Sequence, residues 1–139
     1  MILLDTNVLS ALMQREPEQL VVAWLDGLPA ESVWTTSITV FEIRFGIELL
    51  ATGRARRRLE DAFAKAISED LEGRVVPFDQ LSAQTAGVVA ARQRRAGRPV
   101  EIRDVQIAGI TSARKASLAT RNIRHFDGLD ISLIDPWSA

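Results

Sequence analysis

The chain has 139 residues, of which 47% are hydrophobic and 25% charged, and this length and composition are typical of one globular domain over residues 1–139. It contains no cysteine and one histidine, which excludes a disulfide framework, a thiolate metal site, a cysteine nucleophile and a histidine-rich zinc site. No apolar run reaches about 18 residues. The first residues include an acid but no basic segment, so we expect no signal peptide, no membrane span and a cytoplasmic protein.

The net charge of −1 hides an uneven distribution. Residues 1–53 hold seven acids and two bases, residues 54–124 hold eight acids and fifteen bases, and residues 125–139 hold three acids and no Lys or Arg. Fifteen of the seventeen bases are Arg, the side chain that binds phosphate in a bidentate manner. Two Arg clusters, at 54–58 and 92–98, are compatible with solvated helix faces or with a nucleic-acid surface.

The first half of the chain alternates short apolar runs with segments of helical periodicity. Residues 1–5 predict a buried strand, and Thr6 or Asn7 could cap the helix that follows. The next predicted elements are a helix around 20–28, a strand at 33–36, a helix from Ser37 as N-cap to about 51, and a charged amphipathic helix at about 55–71.

The second half continues the alternation of strands and helices. Its predicted elements are a strand at 74–78, a helix at 81–96, a helix from about 102, and strands at 117–120 and 131–134. Strands that alternate with helices favour an α/β fold, with a central, mostly parallel sheet of four to five short strands flanked by helices.

Four oxygen-bearing side chains fall at positions that such a sheet can bring to one edge. Asp5 ends the first strand, and Asn122 lies just beyond the fourth. Asp104 lies in the first turn of its helix, and Glu42 lies just over one turn into the helix after the second strand. Ligands of open parallel sheets bind outside the carboxyl ends of the strands, so these side chains could converge there.

Each acid alone also has a structural interpretation, such as a helix cap for Asp5 or a partner of the helix dipole for Asp104. Three carboxylates in one place repel one another, which raises the pKa of at least one of them. A divalent cation relieves this repulsion, and an all-oxygen ligand set suits Mg²⁺ or Mn²⁺. The acids therefore predict a metal site if they do converge.

Four motifs surround these residues, and a characteristic tail follows them. They are ILLDTNVLS at 2–10, SITVFEIRFG at 37–46, DVQIA at 104–108, LATRNIRHF at 118–126, and the tail IDPW at 134–137. In order and spacing the set resembles PIN-domain ribonucleases, and within them the VapC toxins of type II toxin–antitoxin pairs and the related FitB branch. The resemblance covers the whole chain and implies a PIN-like fold.

The resemblance also implies ligands and partners. Asp5, Glu42 and Asp104 would form the acidic core that holds Mg²⁺ or Mn²⁺. Asn122 falls where many members have a fourth acid, and Asp127 is near enough in sequence to substitute for it. The implied partners are an RNA substrate, a small VapB-like antitoxin that inhibits the active site, DNA only through that antitoxin, and a second copy in a homodimer.

Further side chains are candidates for auxiliary roles. Thr6 and Ser37 could supply hydroxyl groups to the site, although the N-cap could be the only role of Ser37. His125, the one histidine, is predicted to be a packed or capping residue beside Phe126 rather than an acid at the scissile phosphate. The candidate RNA contacts are Arg44, Arg121 and Arg124.

The function that the sequence favours is a metal-dependent endoribonuclease toxin, in which a metal-activated water hydrolyses the phosphodiester without a covalent enzyme intermediate. The alternative is a weakly active or inactive PIN-like binding module that works through an antitoxin complex on DNA, which the neutral Asn122 motivates. A phosphohydrolase of the haloacid dehalogenase type is disfavoured, because its second strand-end Asp is replaced here by Asn7.

Overall fold

Five short parallel strands form the centre of the computed structural model, which describes residues 1–139. The strands are β1 (Ile2–Leu4), β2 (Val33–Thr36), β3 (Val75–Val76), β4 (Ser117–Ala119) and β5 (Ser132–Ile134). They lie in the order β3-β2-β1-β4-β5, and each neighbouring pair is parallel. The predicted α/β fold with a parallel sheet is confirmed.

Seven α-helices flank the sheet. They are α1 (Thr6–Leu12), α2 (Gln19–Asp26), α3 (Ser37–Glu48), α4 (Arg54–Lys65), α5 (Gln80–Arg95), α6 (Ile102–Ala113) and α7 (Ile123–Phe126). None of them combines the length and the apolar composition that crossing a membrane would require. The single helix predicted over about 55–71 ends at Lys65 and continues as a π-helical turn, Ala66–Asp70. Helix α7 was not predicted, because four residues are too few to show a periodicity.

Two helix caps differ from those predicted, and both lie where a strand passes directly into a helix. Asp5, rather than Thr6 or Asn7, is the N-cap of α1, and its Oδ1 accepts a hydrogen bond from the amide of the next residue at 2.8 Å. Thr36, rather than Ser37, is the N-cap of α3, and its hydroxyl accepts from the amide three residues later at 3.1 Å. The absence of a loop brings the first turns of α1 and α3 to the sheet edge.

The hydrophobic core lies on both faces of the sheet. Leu3 and Leu4 are adjacent in β1 and both almost completely buried, because side chains alternate between the faces and this strand is central. Leu4 belongs to a cluster of 12 buried residues with Val8 and Ile43, whereas Leu3 belongs to a cluster of 11 buried residues with α6. Helices α1, α3 and α6 are therefore anchored by their apolar faces, and this fixes what their first turns present to the sheet edge.

Candidate metal centre

The carboxyl ends of β1, β2 and β4 lie side by side at one edge of the sheet. Leu4 is in register with Thr35 of β2 and with Ala119 of β4. The residues that follow the two strands, Asp5 and Thr120, are therefore neighbours although 115 positions separate them. The Thr120 hydroxyl donates a hydrogen bond of 2.7 Å to Asp5 Oδ2.

A cleft opens at this edge. The side chains of Asp5, Glu42 and Asp104 line it together with those of Asn122 and Asp127. The parallel register supplies Asp5 and Asn122 from neighbouring strand ends, the second turn of α3 supplies Glu42, and the first turn of α6 supplies Asp104. The structure thus brings all five of the predicted oxygen ligands to one cleft.

Asp5 is the most deeply placed carboxylate, with 5% of its surface exposed. Burial raises its pKa above the ordinary value, since the ionised form loses solvent. Hydrogen bonds from Thr120, from the amide of Thr6 and from Asn7 Nδ2 act in the opposite direction. Three donors converge on the Asp5 carboxylate, and they hold its orientation toward the cleft.

Glu42 faces Asp5 from the second turn of α3. The Thr6 hydroxyl donates to its Oε1 at 3.0 Å, and Arg103 Nη1 lies 3.6 Å from its Oε2. Burial raises the pKa of Glu42, and the charge of Asp5 raises it further, whereas Thr6 and Arg103 lower it. The net effect is upward, so one arginine and one hydroxyl do not compensate the cost of ionising this carboxyl group.

Asp104, the third acid, lies in the first turn of α6. Burial raises its pKa to about 6, and the negative charges of Asp5, Glu101 and Glu42 add to the effect. The opposing influence is His125, whose Nδ1 lies 3.7 Å from Asp104 Oδ2. The cleft therefore contains three carboxylates whose ionised forms are disfavoured by burial, and nearby donors and positive charges only partly offset this effect.

The donor chemistry of the cleft fits a divalent cation of the Mg²⁺ type, because carboxylate and amide oxygens line it and the chain has no sulfur ligand from cysteine. A finished ligand cage is not present, since no three Asp, Glu or His side chains are arranged to hold one ion. Instead, Asp5 accepts from Thr120, and Glu42 accepts from Thr6 and pairs with Arg103. A carboxylate can accept such hydrogen bonds and still bind a cation, so an ion here would have to draw the carboxylates closer together rather than displace these donors.

Residues 2–131 match the family model described as the PIN domain. The chain belongs to the PIN domain family.

Three relatives are similar to this chain over essentially its whole length. Toxin FitB of Neisseria gonorrhoeae is 34% identical over 137 residues, covering 99% of both chains. Plasmid stability protein StbB of Pseudomonas syringae pv. tomato is 36% identical over 139 residues, covering all of both. VapC ribonuclease Y4jK of Sinorhizobium fredii is 33% identical over 137 residues, covering 99% of this chain and 98% of the relative.

Solved structures of the same family show the same fold. The crystal structure of FitAcB from Neisseria gonorrhoeae superposes with a TM-score of 0.89 at 34% identity, over all of both chains. The structure of FitAB bound to a DNA fragment superposes with a TM-score of 0.87 at 34% identity, over 99% of this chain and 96% of that one. The resemblance to PIN domains of the VapC and FitB kind is confirmed, and with it the PIN-like fold.

Two polar residues of this PIN domain lie elsewhere than predicted. Ser37 does not line the cleft, because its hydroxyl accepts a hydrogen bond of 3.0 Å from the amide of Phe78. His125 is neither packed nor a helix cap: its side chain is 60% exposed and lines the cleft. The short helix α7 buries Phe126 and turns the adjacent histidine outward, so the prediction that His125 is a packed or capping residue is wrong.

The structure brings one of the three arginines predicted to contact RNA into the cleft. Arg124 lines it from α7. Arg44 lies 3.5 Å from Glu48 and 3.7 Å from Glu60, so its charge is used between α3 and α4. Arg121 stacks on the ring of Trp137, with its guanidinium carbon 4.7 Å from the ring centroid.

The residues of the PIN-domain cleft or its floor that the sequence did not predict include Asn7, Thr120, Arg98 and Arg103. Asn7 and Thr120 bind Asp5, and a signal for both was available, since each lies inside a motif at a predicted strand end. Arg98 and Arg103 also line the cleft. Arg103 directly precedes Asp104, but nothing in its local sequence distinguishes it from the other arginines of the chain.

Proposed function

We propose that this PIN domain is an Mg²⁺- or Mn²⁺-dependent endoribonuclease that acts as the toxin of a type II toxin–antitoxin pair. The observation that carries the proposal is the meeting of Asp5, Glu42 and Asp104 at the carboxyl edge of a parallel sheet. It is supported by 33% identity, over 99% of this chain, to a protein named as a VapC ribonuclease.

The residues that would hold the ion are Asp5, Glu42 and Asp104, with Asn122 and Asp127 as further oxygen donors. The raised pKa of each of the three acids supports this assignment, because burial and, for Glu42 and Asp104, neighbouring negative charge disfavour the ionised forms, and a bound cation would favour them. When bound, Mg²⁺ or Mn²⁺ supplies charge neutralisation for the phosphodiester and lowers the pKa of a water nucleophile.

The chain itself orients the reacting groups. Thr120 and Asn7 hold Asp5, and Thr6 holds Glu42, so the carboxylates are held in place before the substrate arrives. A carboxylate of this set can accept the proton that the attacking water loses. Direct attack by water forms no covalent enzyme intermediate and does not need the RNA 2′-hydroxyl, so a preference for RNA has to come from binding.

We also propose partners for the chain. A small VapB-like antitoxin would inhibit the cleft, and DNA would be reached only through that antitoxin. Support comes from FitAB bound to a DNA fragment and from VapBC of Salmonella typhimurium bound to DNA, which superposes with a TM-score of 0.84 at 28% identity. The chain would form a homodimer and act in the cytoplasm, where its RNA substrate is found.

The test is cleavage of total cellular RNA by antitoxin-free protein, in Mg²⁺, in Mn²⁺ and in EDTA. The wild type is compared with Asp5→Asn and with Asp61→Asn, a matched control on the exposed side of α4. We expect discrete fragments from the wild type and the control in metal only, and none from Asp5→Asn. Mapping of the fragment ends then identifies the target.

Folded wild-type protein that cuts nothing in either metal would contradict this proposal. That outcome would favour the alternative, a PIN-like module that works mainly through an antitoxin complex on DNA. Two observations favour the alternative. Asn122 at the cleft is neutral, and no three acidic or histidine side chains are arranged to hold one metal ion.

A further inference from the structure

A guanidinium group flanks the acidic cleft on its α3 side. Arg103, at the start of α6, has its guanidinium carbon 5.6 Å from the ring centroid of Phe41 and 5.7 Å from that of Phe45. It also lies 3.6 Å from Glu42. Two aromatic faces and one carboxylate therefore hold this charge at the cleft, where it is only partly buried.

A second guanidinium lies on the side of the cleft formed by the segment after α7. Arg98, between α5 and α6, packs directly over Gly128, and a Cβ at residue 128 would collide with the Arg98 guanidinium. Gly128 also has a φ of +81°, a backbone conformation that favours glycine. The buried Gln93 donates to the Gly128 carbonyl at 3.3 Å, which fixes the backbone beneath Arg98.

The charge of Arg98 has no partner within the protein. None of the ion pairs includes it, and it donates no side-chain hydrogen bond to another residue. It is exposed and lines the same cleft as Asp104. An unpaired arginine beside an acidic floor is suited to an anion that comes from outside the protein.

We propose that Arg98 and Arg103 bind the RNA phosphates on the two sides of the scissile bond. The inference rests on the proposed function for its substrate, and it adds how that substrate is held. Three carboxylates repel a phosphodiester chain, so a strand that crosses them needs cations on either side. Arginine satisfies this need better than lysine, because its planar donors bind a phosphate in a bidentate manner.

The test measures binding of a labelled single-stranded RNA oligonucleotide by fluorescence anisotropy in EDTA, at salt concentrations from about 50 to about 200 mM. The proteins are the wild type, Arg98→Gln, Arg103→Gln, the double variant, and the control Arg95→Gln, an exposed arginine of α5 outside the cleft. Thermal melting of each protein shows that it is folded.

Arg98→Gln and Arg103→Gln should each weaken RNA binding. Each should reduce the steepness of the plot of log association constant against log salt concentration by about 0.7, and the double variant should reduce it by about 1.4. Arg95→Gln should leave the slope unchanged. Arg98→Lys should keep most of the slope, because it keeps the charge, but should bind more weakly than the wild type. Gly128→Ala, which keeps every charge but pushes the Arg98 guanidinium aside, should keep most of the slope but bind more weakly than the wild type.

A double variant with the wild-type slope would overturn the inference, and so would a wild type that shows no salt-dependent binding of RNA. Cleavage in Mn²⁺ separates this result from the proposed function. If the wild type cleaves RNA but the double variant keeps the wild-type slope, the proposed ribonuclease function stands and the inferred phosphate contacts are refuted. If the wild type binds RNA through these arginines but does not cleave it, the phosphate contacts stand and the proposed ribonuclease function is refuted.

Discussion

The cleft and the α3–α4 surface arrange similar charges in opposite ways. Between α3 and α4, Arg56 lies 2.6 Å from Glu48 and 3.6 Å from Glu60, and Arg44 reaches the same two acids at 3.5 and 3.7 Å. In the cleft, the ion pairs of three carboxylates with raised pKa values involve only one arginine and one histidine. In the α3–α4 arrangement each charge faces an opposite charge, whereas in the cleft the negative charges are only partly compensated.

The contrast distinguishes a structural use of charge from a functional one. Exposed ion pairs such as those of α3 and α4 contribute about 0–1 kcal/mol each, so they are tolerated without a further role. Uncompensated carboxylates at the end of a parallel sheet destabilise the fold, and perturbed groups in a cleft are typical of functional sites.

Asp104→Asn should lower metal-dependent RNA cleavage by at least about 100-fold, because a carboxylate that binds the ion or accepts a proton is lost. Glu60→Gln, the matched change on the α3–α4 surface, should cleave at the wild-type rate. Initial rates on a defined RNA in Mn²⁺ measure both. If Asp104→Asn cleaved as fast as Glu60→Gln, the contrast between the two regions would have no functional meaning.

Mn²⁺ should stabilise the wild type by about 2.7 kcal/mol at a free concentration 100 times its Kd, because the ion binds the folded chain only. Asp104→Asn should show a smaller gain, and Glu60→Gln the full gain. Unfolding in denaturant, with and without Mn²⁺, gives these numbers. An equal gain in all three proteins would place the ion outside the cleft.

In EDTA, the stability of the wild type should fall as the pH rises from about 4 to about 6. The pKa of Asp104 is about 6 in the folded protein and near its ordinary 3.8 in the unfolded chain. Between these values the folded protein binds more protons than the unfolded one, so raising the pH favours unfolding, and above them the effect levels off. Asp5 and Glu42, whose pKa values are also raised, act in the same direction.

Asp104→Asn removes the titrating group. Its melting temperature in EDTA should therefore exceed that of the wild type by a few degrees at pH 7 and by less at pH 4. If the melting temperatures of the two proteins differed by the same amount at every pH in this range, the Asp104 carboxyl group would have an ordinary pKa.

The smallest effect is expected on the α3–α4 surface. Glu60→Gln should change the free energy of unfolding by less than about 1 kcal/mol, because it weakens only exposed ion pairs with Arg44 and Arg56. Any loss should shrink at high salt, which screens such pairs. Unfolding at low and high ionic strength measures this, and a large loss that salt does not change would indicate a buried role for Glu60.

Local patterns were sufficient to predict most of the elements and the region of the site. The apolar run before Asp5, the periodicity of α5 and α6, and the strands at 33–36 and 117–120 all have their counterparts in the structure. Such patterns depend on neighbours within one or two turns, which the sequence displays directly. The caps of α1 and α3 were misplaced by a single residue or two, since Asp, Thr, Ser and Asn cap helices almost equally well.

The sequence by itself determined the alternation of strands and helices, and hence that Asp5 and Asn122 follow parallel strands at one edge. Only the tertiary structure decided which charges are used inside the protein and which face the cleft. The two arginine clusters illustrate this: Arg56 pairs with acids of α3 and α4, whereas Arg98, from the other cluster, lies unpaired over Gly128. The contacts of Arg56 with Glu48 and of Arg98 with Gly128 join residues 8 and 30 positions apart, so the local pattern of charge alone could not separate the clusters before the chain folds.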